Sequence, residues 1–421
     1  MSSRLAEHIV DFLGYGEKGG CVSTLEGFRP RQWRRVLPWL DSSGLALYFL
    51  RRIEDLRAGR VLPEEVLIRL RQNLEDNCER TAALTEEMRA IHQRLSANAV
   101  EFAVLKGYSL VPEYCPSPGL RHQCDLDYVV APNDLHRASH VLLTMGYSRV
   151  RRSPAYTFTR RTGDLPTRAE IYKAGLNYSV ELHTSLWEND EVAALEQLPE
   201  VLARRQFHRA AGLVFPALSP EDRFIYQCMH VLSHTLQFWI RMAWVYEIAS
   251  FLVQPRMDAS FWRLVDKRID GRGPVARAVH FVTLLAEKLF GVEVSHLRQD
   301  AYPAITLWVN EYGSEWALHD LPGSKLSLFL FREFMDEKQW QQLERQRLFP
   351  LHRPHAATQH GVWQAGRSLR AQFAEYRYAG QRLAFHLRET WRYLREKPEW
   401  HRSLQALQQA ERYNQVEAVL R

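Results

Sequence analysis

Two segments decide the reading: Leu105-Lys106-Gly107-Tyr108-Ser109-Leu110, and Arg121-His122-Gln123-Cys124-Asp125-Leu126-Asp127-Tyr128-Val129-Val130. The run from Cys124 to Val130 reads as a β-strand, rich in β-branched and aromatic residues. Successive side chains on a strand face opposite ways, so Asp125 and Asp127 share one face while Leu126 points into the core. Two neighbouring carboxylates repel one another and raise each other's pKa, a penalty that a divalent cation between them offsets. Carboxylate oxygens are the hard donors that magnesium takes, together with the phosphate oxygens of a nucleotide. Taken alone, Asp-x-Asp would equally describe a solvated strand edge. The upstream segment adds a short β-type run, Phe102 to Leu105, which ends on Lys106-Gly107 and leads into a helix start. Glycine at such a joint lets backbone N–H groups approach phosphate oxygens, and the dipole of the following helix favours their negative charge.

Outward from this centre, Pro116, Pro118 and Gly119 mark a loop, and Asn133 to Met145 read as an amphipathic helix. Asn133 or Asp134 is expected to cap it, and Gly146 to stop it. Further β-like runs follow at Tyr156–Thr159, Ala169–Tyr172 and Tyr178–Leu182. Upstream, Trp33–Ile53 and Leu62–Asn98 carry helical apolar spacing, the second through Val66, Ile68, Leu70, Leu74, Leu84, Met88 and Ile91. Downstream, Ser219-Pro220-Glu221-Asp222 is a helix start with a serine cap, a proline and first-turn acids. That helix is expected to reach about Met242, with a second part to Leu252. Helical spacing continues past breaks near Pro255, Gly271, Pro303 and Pro322 to a long segment from Trp363 to Lys397. The expected class is α+β: a small mixed sheet flanked by helices, with helical N-terminal and C-terminal regions. The expected divisions are 1–98 (helical lead-in), 99–215 (sheet core), 216–325 (helices lining the cleft) and 326–421 (basic helical region).

The 421 residues are 46% hydrophobic and 25% charged, the balance of a folded protein, not a disordered one. A net charge of +6 suits an anionic substrate such as a nucleoside triphosphate, and would also suit nucleic acid. The C-terminal arginines, among them Arg367, Arg388, Arg395 and Arg402, read first as a solvated helical face. The five cysteines, an odd number with no CxxC pair, argue against a disulfide framework, a disulfide-linked partner or a zinc knuckle. The N-terminal stretch does not read as a secretion signal, and no run approaches the roughly twenty apolar residues of a membrane span. The expected location is the cytoplasm, with no membrane partner.

Strand–glycine–helix, Asp-x-Asp on the next strand and a single acid on a later one resemble the DNA polymerase beta-like nucleotidyltransferase superfamily. More closely, Leu105-Lys106-Gly107, Arg121 with Asp125 and Asp127, Gly146-Tyr147 and Val180-Glu181-Leu182-His183 resemble the bacterial family labelled uncharacterised nucleotidyltransferase. Its later helical motif has counterparts in His230 and in Arg241 to Glu247, so the resemblance spans about residues 25 to 255. Two departures stand out: Gly107 is followed by Tyr108, with Ser109 one place later, and Glu247 replaces the usual Asp.

The resemblance implies an enzyme that moves a nucleoside monophosphate from a nucleoside triphosphate to a hydroxyl or phosphate acceptor and releases pyrophosphate. Asp125, Asp127 and Glu181 would hold two magnesium ions, for which manganese can substitute, and Glu181 would help deprotonate the acceptor. Gly107 and Ser109 would cradle phosphates that Lys106 and Arg121 neutralise. Each residue also has a plainer reading. Lys106 could cap its strand in solvent, Arg121 could pair with Asp125 or Asp127, and Glu181 could be an idle strand acid. His183, His230 and Arg241 are candidates for the substrate side or for supporting the metal-bound acids. His230 and His234 sit one helical turn apart, but no third zinc ligand is evident. Two alternatives stand beside this reading. One is an RNA-end transferase, supported by Trp391, Tyr393 and Trp400 among the C-terminal arginines and less favoured. The other is a silent nucleotide-binding scaffold, against which the three intact acids count.

Overall fold

The computed structural model describes residues 3–150, 156–160, 171–173, 178–186, 198–237, 240–254, 258–269, 273–294, 302–318, 325–348 and 369–420. Contacts divide the chain into two units, Met1–Leu297 and Arg298–Arg421.

The first unit begins with helices α1 (Ser3–Leu13), α2 (Pro30–Ser43), α3 (Ala46–Asp55) and α4 (Glu64–Ala97). The helical stretch from Trp33 to Ile53 divides into α2 and α3 at Gly44, a joint that its glycine marks, while Pro38 stays inside α2; Gly44 takes φ +76°. A Cβ there would lie 2.9 Å from the Ala243 Cβ, so glycine serves both the left-handed turn and the close approach. Helix α4 buries Val66, Leu70, Leu84, Met88 and Ile91 as its spacing predicts, but Ile68 is 59% exposed. Polar residues take part of the buried face instead. Asn77 donates to Gly119 O at 2.7 Å, and Arg80 donates through Nε and Nη2 to Gln123 O at 3.1 and 3.0 Å. These bonds satisfy carbonyls of the loop that enters the Asp-x-Asp strand and fix where that strand begins.

The mixed sheet comprises β1 (Phe102–Val104), β2 (Asp125–Val130), β3 (Ser148–Arg149), β4 (Tyr156–Thr159), β5 (Ser179–His183), β6 (Gln206–Ala210) and β7 (Leu213–Ala217). Their order is β3-β4-β5-β2-β1-β7-β6. Strand β2 is central, antiparallel to β1 and parallel to β5, which explains its nearly continuous apolar run after Asp127. Helix α5 (Leu135–Thr144) begins later than expected, because Pro132–Asp134 form a 3-10 turn. Neither proposed cap bonds the helix; Asp134 Oδ2 accepts from the Glu101 N–H at 2.7 Å and ties the turn to β1. Gly146 follows at φ +86°. Of the expected strand at Ala169–Tyr172, Ile171 and Tyr172 form a turn, and the other two residues lie outside the described ones.

The β6–β7 hairpin was not anticipated. Its turn, Ala211-Gly212, has φ of +49° and +71°, the two consecutive left-handed residues of a two-residue hairpin. Strand β6 is an edge strand with Phe207 82% exposed, so no apolar alternation marked it.

Helices α6 (Leu198–Ala203), α7 (Pro220–Leu236), α8 (Met242–Leu252), α9 (Ala259–Ile269) and α10 (Gly273–Phe290) complete the unit. Ser219 caps α7, its Oγ accepting from the Asp222 N–H at 3.4 Å. Helix α7 stops at Leu236, short of Met242, where α8 begins. Phe224 of α7 stacks on Phe251 of α8 with ring centroids 5.6 Å apart and meets Trp262 of α9 edge-on, also at 5.6 Å. This aromatic seam ties α7, α8 and α9 together.

The second unit holds α11 (Pro303–Trp308), a π-helical turn at Val309–Gly313, α12 (Ser314–Leu318), α13 (Ser327–Phe331), α14 (Glu337–Leu348) and α15 (Leu369–Leu420). Phe329 packs on Tyr393 and Trp400, with centroids 4.8 and 4.9 Å away, so those two aromatics belong to the core of this unit. Arg388, Arg395 and Arg402 are exposed along α15; Arg367 lies outside the described residues. Among the described residues no helix is long and apolar enough to cross a membrane.

Candidate active site

The register of β2 on β5 pairs Asp125 with Ser179, Asp127 with Glu181 and Val129 with His183. Alternation then turns Asp125, Asp127, Glu181 and His183 to one face. Leu126 and Tyr128 face the other way, where both are buried. Lys106 follows β1, and its Nζ lies 3.0 Å from Asp127 Oδ1. The same oxygen accepts from His183 Nε2 at 3.0 Å, and that nitrogen is 3.8 Å from Glu181 Oε2. Thr157 of β4 donates to Glu181 Oε1 at 3.4 Å.

The electrostatics separate the three acids. Burial pushes the Asp127 carboxyl up, but the Lys106 charge and the His183 hydrogen bond outweigh it and hold Asp127 well below the usual carboxylate range. Burial, then the Asp127 charge, raises Asp125, opposed by Lys106, Arg121 and Arg241. Burial, reinforced by Asp127 and Asp125, pushes Glu181 up to about 7. Crowded carboxylates of this kind gain from a cation placed among them.

Asp127 Oδ2 is buried and has no hydrogen-bond partner among the described residues. A buried carboxylate oxygen without a donor is costly, and a cation satisfies it. One donor atom from each of Asp127, Glu181 and His183 lies within 4.8 Å of the others. The residues present therefore fit a divalent ion.

Gly107 has φ +62°, and a Cβ on it would fall 2.3 Å from the Gln123 amide nitrogen. Gln123 is itself held, donating to Asp125 O at 2.7 Å. Gly107→Ala is therefore expected to destabilise the fold by about 1–2 kcal/mol from the left-handed backbone alone. Displacement of Gln123 adds to that loss; a urea midpoint equal to the parent's would refute it. The helix start predicted here is a 3-10 turn, Gly107–Leu110. Ser109 is fully buried in it, its hydroxyl donating to Lys106 O at 3.4 Å.

Arg121 is also buried and points to α8, where its Nε donates to Glu247 Oε1 at 3.0 Å. Tyr48 of α3 donates to the same oxygen at 2.7 Å. Among the described residues Arg121 thus forms its ion pair with Glu247, a partner that the sequence did not suggest. Burial works against the Arg121 charge, and Glu247 restores it and keeps its pKa above the ordinary value.

Arg241, the residue before α8, makes no hydrogen bond or ion pair among the described residues, and its charge acts on Asp125. His230 of α7 lies near the site as well: its pKa is lowered by burial first, then by Lys106, with Arg121 and His183 contributing. Its ring packs against His234 at 4.5 Å and Trp244 at 4.7 Å, an aromatic cluster. The site residues missed from sequence are Thr157, Gln123 and Tyr48. Thr157 and Tyr48 carry no local signal, because each reaches its partner through strand pairing or helix packing; Gln123 bonds the Asp125 carbonyl two residues on, but only the φ of Gly107 brings it against that glycine.

This geometry coincides with a match to one protein-family model, described as uncharacterised nucleotidyltransferase, over residues 29–291. The chain belongs to that family. No curated protein and no solved structure matches it. As a nucleotidyltransferase family member it has the mixed sheet and flanking helices expected of the fold, and all its candidate site residues lie within the matched span.

Proposed function

We propose that the protein is a magnesium-dependent nucleotidyltransferase that moves a nucleoside monophosphate from a nucleoside triphosphate to a hydroxyl or phosphate acceptor. The observation that carries this reading is the pairing of Asp127 with Glu181 on parallel strands, with Lys106 on the same Asp127 carboxylate. Asp125, Asp127 and Glu181 would hold the ions, which when bound neutralise the charge developing on the entering and leaving oxygens. The acceptor oxygen forms a bond to the α-phosphorus as the bond to the bridging α–β oxygen breaks. Pyrophosphate leaves with that electron pair, and the acceptor's proton passes to Glu181.

Lys106, the Gly107 turn and Arg241 would receive the phosphates. The charge of Arg241 acts on Asp125, so this side chain stands within electrostatic reach of the acids' face, which supports its part. Arg241→Ala is expected to raise KM for the nucleotide about 10-fold or more, the worth of one hydrogen bond to a charged group. Stability should stay within about 0.5 kcal/mol. An unchanged KM would remove Arg241 from the nucleotide side.

An RNA end as acceptor has less support, since Tyr393 and Trp400 are buried against Phe329 and only Trp391 is exposed. Incubation with each radiolabelled nucleoside triphosphate and magnesium, with cell extract as a source of acceptors, tests the reading. Pyrophosphate release with one nucleotide, lost in the Asp125→Ala/Asp127→Ala double variant, is the expected result. Nucleotide binding without release under any condition would favour a silent scaffold.

A further inference from the structure

The donor set of the site is not all oxygen, and we propose that His183 is itself a metal ligand. Its Nε2 would share one ion with Asp127 and Glu181, so that this position selects a first-row transition ion over magnesium. The inference rests on the nucleotidyltransferase reading only for its assumption that a divalent ion binds here.

Three observations carry it. First, His183 Nε2 stands 3.0 Å from Asp127 Oδ1 and 3.8 Å from Glu181 Oε2. Two ligands about 2.1 Å from an ion and at right angles are about 3.0 Å apart, so this nitrogen is already at ligand spacing from the Asp127 oxygen. Second, Asp127 Oδ2 is buried without a partner among the described residues although Oδ1 has two, Lys106 and His183. A carboxylate serving only as an ion-pair and hydrogen-bond acceptor would have no need to leave one buried oxygen empty. Third, the His183 side chain is 3% exposed and is held on the acids' face by the β2–β5 register.

The face then offers two kinds of position. Asp125 and Asp127 provide oxygen alone, suited to the magnesium that accompanies a triphosphate. Asp127, Glu181 and His183 provide two oxygens and an imidazole nitrogen. Magnesium takes oxygen donors, whereas imidazole suits transition ions. Selection at the second position follows from that nitrogen.

The test uses the full chain and Mn2+ without nucleotide, read by pulsed electron paramagnetic resonance. Nitrogen-14 modulation on the bound Mn2+ is expected. It should convert to the nitrogen-15 pattern in protein labelled at histidine, a readout that needs no variant. His183→Gln should remove the modulation and weaken Mn2+ binding by more than the ~10–100-fold that loss of an outer-shell hydrogen-bond partner costs, while Mg2+ binding changes less. His183→Asp should restore binding without modulation and narrow the preference for Mn2+. Bound Mn2+ with no nitrogen modulation, failure of Mn2+ to bind, or equal loss of both ions in His183→Gln would each overturn the proposal and leave His183 a hydrogen-bond donor to Asp127. Pyrophosphate release, assayed in parallel, separates the two readings. Nitrogen-coupled Mn2+ without release sinks the transferase and keeps the ligand, and release without coupling does the reverse.

Discussion

Asp127→Asn is expected to lower the rate of nucleotidyl transfer on the order of 10^3-fold, the scale of losing one preorganised electrostatic contact at the reacting centre. The change is isosteric, so β2 should keep its place between β1 and β5. What it removes is the charge that Lys106 and His183 both address at 3.0 Å. Two effects on stability oppose each other. Lys106 loses its buried partner, which destabilises, while Asp125 and Glu181 lose a repelling neighbour, which stabilises. The net change should therefore fall below the ~3–5 kcal/mol typical of a broken buried pair. Rapid-mixing assays of pyrophosphate release beside urea melts would check both parts. A folded variant that is fully active would remove Asp127 from the chemistry.

Glu247→Leu should act in the opposite sense, on the fold first. It strands the buried Arg121 guanidinium and takes the acceptor from Tyr48. An uncompensated buried charge costs about 3–5 kcal/mol, so a large fall in the urea midpoint is expected. Pairing it with Arg121→Met should recover most of the loss, because removing both charges removes the desolvation penalty as well. The double variant also asks what Arg121 does. If its stability returns and its nucleotide KM is unchanged, Arg121 is a tie between the sheet core and α8. If KM rises, Arg121 also serves the phosphates. A loss below about 1 kcal/mol in Glu247→Leu would mean that the pair is solvent-screened and of little structural weight.

The two variants mark the boundary between what was legible in the chain and what was not. Asp125 and Asp127 on one face, the Ser219 cap and the Gly146 stop were all readable, because each depends on residues within one or two turns of chain. So was the separation of helical flanks from a small mixed sheet, which apolar periodicity records directly. The break at Gly44 was readable too, as a glycine joint, although its close approach to the Ala243 side chain was not. The exposed Ile68 and the diversion of Asp134 were not readable; for Asp134 a distant group, the Glu101 N–H, decided between locally similar alternatives. The β6–β7 hairpin left one sign, Ala211-Gly212, but an edge strand with an exposed Phe207 lacks the alternation that a half-buried strand shows.

By itself, then, the sequence determined the strand carrying two acids, the glycine joint before it and the family to which the chain belongs. The resemblance already set Glu181 with the two aspartates; tertiary structure alone decided that His183 bonds Asp127, 56 residues away, and that Arg121 meets Glu247, 126 residues away. The physical reason is range. Side-chain alternation is a property of a few bonds, whereas strand register and the choice of ion partner are set by how buried surfaces fit together across the whole unit.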